Sequence, residues 1–149
     1  MDGTEDLIKL YSQRILALAA DIPHRDRLTD AGRVTVRKRS PLCGSTVTVD
    51  LRLEDGRIAA FAQDVKACAL GQASAAVLGS EVIGRSRSEI AHARDQLRAM
   101  LTAGGPVPDA PFGGYEVLLP ARDYRNRHAS ILLALEATLA ACDEALAAA

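Results

Sequence analysis

The sequence predicts an α+β fold, a small three-stranded antiparallel sheet with helices packed on one side of it. Two runs of period-two alternation and a third strand-like run follow one another between residues 32 and 65, joined only by short turns, and the regular stretches on either side repeat at helical spacing. The 149 residues, 48% of them apolar, are enough for one domain spanning 1–149 with a core of its own.

The elements can be justified in order. Leu7, Ile8, Leu10, Tyr11, Ile15, Leu16 and Leu18 recur on one helical face, and Pro23 lies just beyond, so residues 4–20 read as an amphipathic helix. After the loop "DIPHRDRL", the run "GRVTVRKRS" alternates Val34 and Val36 with basic residues. "STVTVDLRL" alternates Val47, Val49, Leu51 and Leu53 with polar ones, and "RIAAFAQDV" carries Ile58 and Phe61. "EDG" joins the last two runs as a tight hairpin in which Gly56 is free to take a positive φ. From Ala67 the period changes to that of a helix with Ser74 and Gly79 as close-packing positions and Gly84 as its stop. "SRSEIAHARDQLRAMLTAGG" is the next helix, with Ser86 or Ser88 as N-cap and Gly104-Gly105 as terminator. Pro106, Pro108, Pro111 and Pro120 make the following stretch an ordered loop packed by Phe112, Tyr115, Leu118 and Leu119. "YRNRHASILLALEATLAACDEALAAA" closes the sequence as a long helix.

Charge and composition narrow the function classes. Eighteen basic residues against nineteen acidic ones leave a net charge of -1, which favours neither nucleic acid nor an anionic membrane as partner. The N-terminal stretch opens with acids and carries charges inside its apolar segment, so it does not read as a signal peptide, and no run approaches a membrane span. A soluble cytoplasmic protein is expected. Its three cysteines then read as free thiols, metal ligands or reactive groups rather than as a disulfide framework.

Two of those cysteines occupy places suited to chemistry. Cys43 precedes the second strand beside Gly44, and Cys68 opens the helix after the third strand, where unpaired N–H groups favour a thiolate. Pairing of the second and third strands about "EDG" brings the start of one and the end of the other to the same end of the sheet. Two thiolates do not complete a zinc or cluster site, so a third donor is needed. Cys142 qualifies by type and His128 by position, but fourteen residues of helix separate them by about 21 Å. His128, at a helix end beside a loop and flanked by Arg125 and Arg127, is preferred, and Cys142 reads as a packing thiol in an alanine-rich tail. His24 and His92 read as solvated, and Arg33, Arg37, Lys38 and Arg39 as the wet face of a strand that could dock an acidic partner.

In order, "LYSQRILALAADIPHRDRL", "PLCGSTVTVDLRLEDGRI", "KACALGQASAAVLGSEVIGRS" and "RHASILLALEA" resemble the segments of the iron-sulfur cluster assembly scaffold family that includes IscU, SufU and the N-terminal domain of NifU. The resemblance covers nearly the whole sequence, and the long stretch from Ser86 to Pro120 is most similar to the SufU branch. It implies a SufE/NifU-like fold and a metal or cluster site of Cys43, Cys68 and His128, which match the family's first cysteine, second cysteine and histidine. Two positions depart from the pattern. Ser45 stands where the family has the aspartate of Cys-Gly-Asp, leaving only a weak hydroxyl donor, and Ala129 stands where it has its third cysteine. "VLLPARD" replaces the Leu-Pro-Pro-Val-Lys segment through which IscU-type members meet a chaperone.

What the resemblance implies about function takes three forms. The first is a scaffold that binds iron or an iron-sulfur cluster transiently and passes it on, without turnover of a substrate of its own. It works with a cysteine desulfurase and with recipient apoproteins or cluster carriers, and a homodimer could pool two incomplete ligand sets. The second is a SufU-like zinc-dependent sulfurtransferase in which Cys43 or Cys68 accepts persulfide sulfur. The third is a metal-free interaction subunit of a desulfurase complex.

Overall fold

The computed structural model describes residues 12–41 and 44–148. Helix α1, Gln13–Ala20, starts at Ser12, whose hydroxyl accepts a hydrogen bond from the Ile15 N–H, and buries Ile15. It agrees with the second half of the helix expected over 4–20, and residues 4–11 of that expectation lie outside the described residues.

Strands β1 (Val34–Arg39), β2 (Thr46–Glu54) and β3 (Arg57–Lys66) form an antiparallel meander in the order β1-β2-β3. Asp55 and Gly56, at φ 52° and 76°, make the two-residue turn between β2 and β3, the geometry an Asp-Gly pair accepts at little steric cost. Val47, Val49 and Leu51 point to one face and are buried under the helices. The opposite face carries a buried carboxylate. Asp50 accepts hydrogen bonds from Arg27 Nε (2.6 Å) and Nη2 (2.9 Å), the Leu28 N–H (3.1 Å) and the Thr35 hydroxyl (2.6 Å). Burial alone would raise the Asp50 pKa, but the bonds from Arg27, Thr35 and Leu28 outweigh it and hold the carboxyl below its ordinary range. The chain between α1 and β1 is thereby clamped to the sheet, and it also lends His24 O to the Gln63 N–H at the edge of β3.

Helix α2, Ala69–Glu81, is buried nearly all round, from Leu70 and Gly71 to Leu78 and Gly79. Its small residues set the packing distances, as expected for Ser74 and Gly79. Ser74 Oγ donates to Ile131 O at 2.6 Å, and a Cβ at Gly79 would stand 2.8 Å from Gln63 Nε2. Gly84, at φ 86°, turns the chain away after the helix. Helix α3, Arg87–Thr102, begins with a capping box in which Ser86 and Glu89 satisfy each other's backbone N–H groups. It ends at Gly104 (φ 67°), where the Gly105 N–H reaches back to Ala99 O.

The proline-rich stretch differs from the expected loop. Gly113–Asp123 winds as a 3-10 helix that buries Tyr115, Val117, Leu118 and Ala121. Prolines disfavour an α-helix here, yet Tyr115, Leu118 and Ala121 recur every third residue, which lines them up on one face of a helix with three residues per turn. Helix α4, Arg125–Ala148, then lays Ile131, Leu135 and Leu139 into the core against β1, β2, α2 and α3.

Candidate functional site

The β2–β3 pairing begins at Thr46 and Lys66, so the segment leading into β2 and the one leaving β3 emerge at the same end of the sheet. Cys68 lies two residues past Lys66 and is the N-cap residue of α2, with extended backbone (φ -66°, ψ 169°) and a partly exposed side chain. Cys43, between Pro41 and Gly44, lies outside the described residues. The residues flanking it form a closed turn in which the Ser40 N–H donates to Ser45 O (2.8 Å) and the Gly44 N–H to Ser40 O (3.0 Å).

Ser45, at the root of that turn, is only 5% exposed. Its hydroxyl lies 3.0 Å from Ser130 Oγ, and Ser130 Oγ lies 3.7 Å from Cys68 Sγ. Three segments distant in sequence thus meet at one hydroxyl. Gly71 permits the meeting, since a Cβ there would come within 2.7 Å of Ser130 Oγ and 2.8 Å of the Ala67 methyl. Neither Ser130 nor Gly71 stood out in the sequence. The signal was the pair Gly71 and Ser74, one turn apart on α2 and facing Ser130 and Ile131 of α4.

His128 is 7% exposed and its Nε2 lies 2.8 Å from Ala121 O. A carbonyl oxygen can only accept, so Nε2 carries the proton and Nδ1 is the nitrogen left with a lone pair in the neutral ring. A metal-binding histidine commonly has its other ring nitrogen held by a backbone carbonyl in this way. The side chains of Ser130, Ala129 and His128 fan out around α4 in steps of about 100°. Ser130 faces Cys68, whereas His128 borders an open depression of about 800 Å³ lined also by Thr102, Gly104, Arg122, Asp123 and Arg125. The structure therefore gathers Cys68, Ser45 and Ser130, and no hydrogen bond joins His128 to them among the described residues. Among the described residues no three His, Cys, Asp or Glu side chains cluster into a metal-binding group.

Cys142 is fully buried in α4, and burial, with Asp143 adding and Arg87 opposing, pushes its thiol up to about 11. It is an inert packing group. His24 and His92 are exposed, His92 sitting 3.2 Å from Asp109. Arg37, Lys38 and Arg39 are exposed on β1, an edge strand, as the wet-face reading expected. No helix among the described residues is long and apolar enough to cross a membrane.

Neither the family models nor the curated proteins contain a match to this chain. Solved structures do. The N-terminal part of a nitrogen-fixing NifU-like protein from Brucella abortus is 39% identical, with a TM-score of 0.91 over 97% of this chain and 99% of that one. An iron-sulfur cluster assembly scaffold protein for the SUF system from Fervidobacterium islandicum is similar at 19% identity and a TM-score of 0.75, over 87% of this chain and 94% of that one. The second likeness is one of fold.

Proposed function

This chain belongs to the NifU-like N-terminal family of iron-sulfur cluster assembly scaffolds, and from that premise we propose that it holds iron or a nascent cluster briefly and passes it on. The observation that carries the reading is the 39% identity to a NifU-like protein over 97% of the chain. Iron and sulfide are its cargo, received with the help of a cysteine desulfurase and delivered to recipient apoproteins or carriers.

Cys43 and Cys68 supply two thiolates, soft donors suited to iron and to zinc. His128 supplies an imidazole through Nδ1, and the bond from its Nε2–H to Ala121 O favours that tautomer. With alanine at 129 and serine at 45, the set lacks the family's third thiolate and its carboxylate. Such a set is open, and its remaining position is filled by solvent, a partner chain or a second copy. An incomplete set suits hand-over better than storage.

The experiment is iron and sulfide analysis with an absorption spectrum on untagged protein purified anaerobically, beside a variant carrying Cys43→Ser and Cys68→Ser. Iron, sulfide and visible charge-transfer bands that vanish in the variant are expected. Stoichiometric zinc without colour would replace this reading with sulfur transfer through Cys43 or Cys68. Absence of any metal from both proteins would leave only a desulfurase-binding subunit.

A further inference from the structure

We infer that Ser130 is the positioning residue of this site: its hydroxyl fixes the Cys68 sulfur for cargo binding and ties it to Ser45 at the root of the neighbouring turn. The inference rests on the scaffold reading and adds to it a residue that has no counterpart among the five ligand positions compared above.

The hydrogen bonding of Ser130 departs from that of Ser80, Thr102 and Thr138. A serine or threonine inside a helix usually turns its hydroxyl back to a carbonyl of the preceding turn. Thr138 does so to Ala134 O (2.8 Å), Thr102 to Arg98 O (2.7 Å) and Ser80 to Val77 O (2.8 Å). Ser130, only 1% exposed, instead directs its Oγ out of α4 to Ser45 Oγ and Cys68 Sγ. The space for it exists because residue 71 has no side chain.

A hydroxyl has one proton and two lone pairs, so Ser130 can donate to sulfur while accepting from Ser45. Donation suits a sulfur that is ionised or bound to cargo, because it draws density from the sulfur lone pairs and holds the Cβ–Sγ bond in one direction. Partners of this kind, one shell out from a ligand, typically change metal affinity about 10–100-fold. Ser130 thus orders a site whose direct ligands are few.

Anaerobic titration of the full chain with Co(II), followed by the sulfur-to-cobalt charge-transfer band, tests this with Ser130→Ala, Ser45→Ala and Ser74→Ala beside the wild type. Ser74 is the control, a buried hydroxyl at the same α2–α4 contact that donates to Ile131 O and has no hydrogen bond to Cys68. Ser130→Ala is expected to weaken Co(II) binding by about tenfold or more and to move the band to longer wavelength. Ser45→Ala, acting through Ser130, moves both in the same direction by less and keeps the test alive if the first variant folds badly. Ser74→Ala leaves the band in place. An unchanged Ser130→Ala protein, or an equal loss in Ser74→Ala, overturns the inference while the scaffold reading stands. A wild-type protein without any sulfur-to-cobalt band overturns both.

Discussion

Replacing Asp50 by alanine should cost about 3 kcal/mol of stability. The carboxylate has no exposed side-chain surface and accepts four hydrogen bonds, two from Arg27 and one each from the Leu28 N–H and the Thr35 hydroxyl. Breaking an ion pair buried on both sides costs about 3–5 kcal/mol, mostly from the charge left behind. Here the partner left behind is Arg27, whose side chain is 55% exposed and returns to water, which places the loss at the bottom of that range. For a chain of this length, about 3 kcal/mol lowers Tm by roughly 6–12 °C. The pH dependence has a definite sign. The folded carboxyl titrates below its ordinary value, so its stabilisation is present above about pH 4 and disappears as the pH falls through the folded pKa. Thermal melts of wild type and Asp50→Ala between pH 7 and pH 3 measure both effects, and the two curves should converge in acid. A loss below about 1 kcal/mol at pH 7, or a gap that stays constant to pH 3, would refute the clamp.

Gly71→Ala sets a gain in helix propensity of about 1 kcal/mol against overpacking of about 1–3 kcal/mol, because its Cβ would meet both the hydroxyl and the backbone oxygen of Ser130. A net loss of about 1 kcal/mol in urea unfolding is expected, and a stabilised variant would mean that α2 and α4 yield easily. Cys142 should resist iodoacetamide at pH 8 until urea is added, since its thiol is buried with a pKa near 11; peptide mapping reads this directly, and ready labelling in the native protein would contradict it. Ala129→Cys restores the family's third thiolate and should tighten Co(II) binding more than about tenfold, or about 1.4 kcal/mol, measured by competition with a chelator. Unaltered affinity would show that position 129 faces away from the cargo.

Much of this architecture is legible residue by residue. Alternation of Val47, Val49 and Leu51 identifies the buried face of β2, and Asp55-Gly56 and Ser86 with Glu89 specify a turn and a helix start through contacts no more than three residues apart. Interactions that reach across the sequence are harder to foresee. Asp50 falls on the outward side of the same alternation, and nothing near it announces that Arg27 will cover it. The 3-10 segment hides its three-residue spacing behind prolines that read as a loop. At the site, Cys68 and its helix start follow from local pattern, but Ser130 acquires its meaning only from partners 62 and 85 residues away. The tautomer of His128 likewise depends on Ala121 O, a backbone atom of the 3-10 segment.

Transfer tests the scaffold reading most directly. Protein loaded anaerobically with iron and sulfide is mixed with an apo-ferredoxin in the presence of a strong iron chelator, and the ferredoxin's circular dichroism is followed in the visible range. The reading predicts that holo-ferredoxin forms faster from the loaded chain than from equal free iron and sulfide, and that chelator does not intercept it. Formation no faster than from free iron and sulfide, and abolished by the chelator, would contradict it.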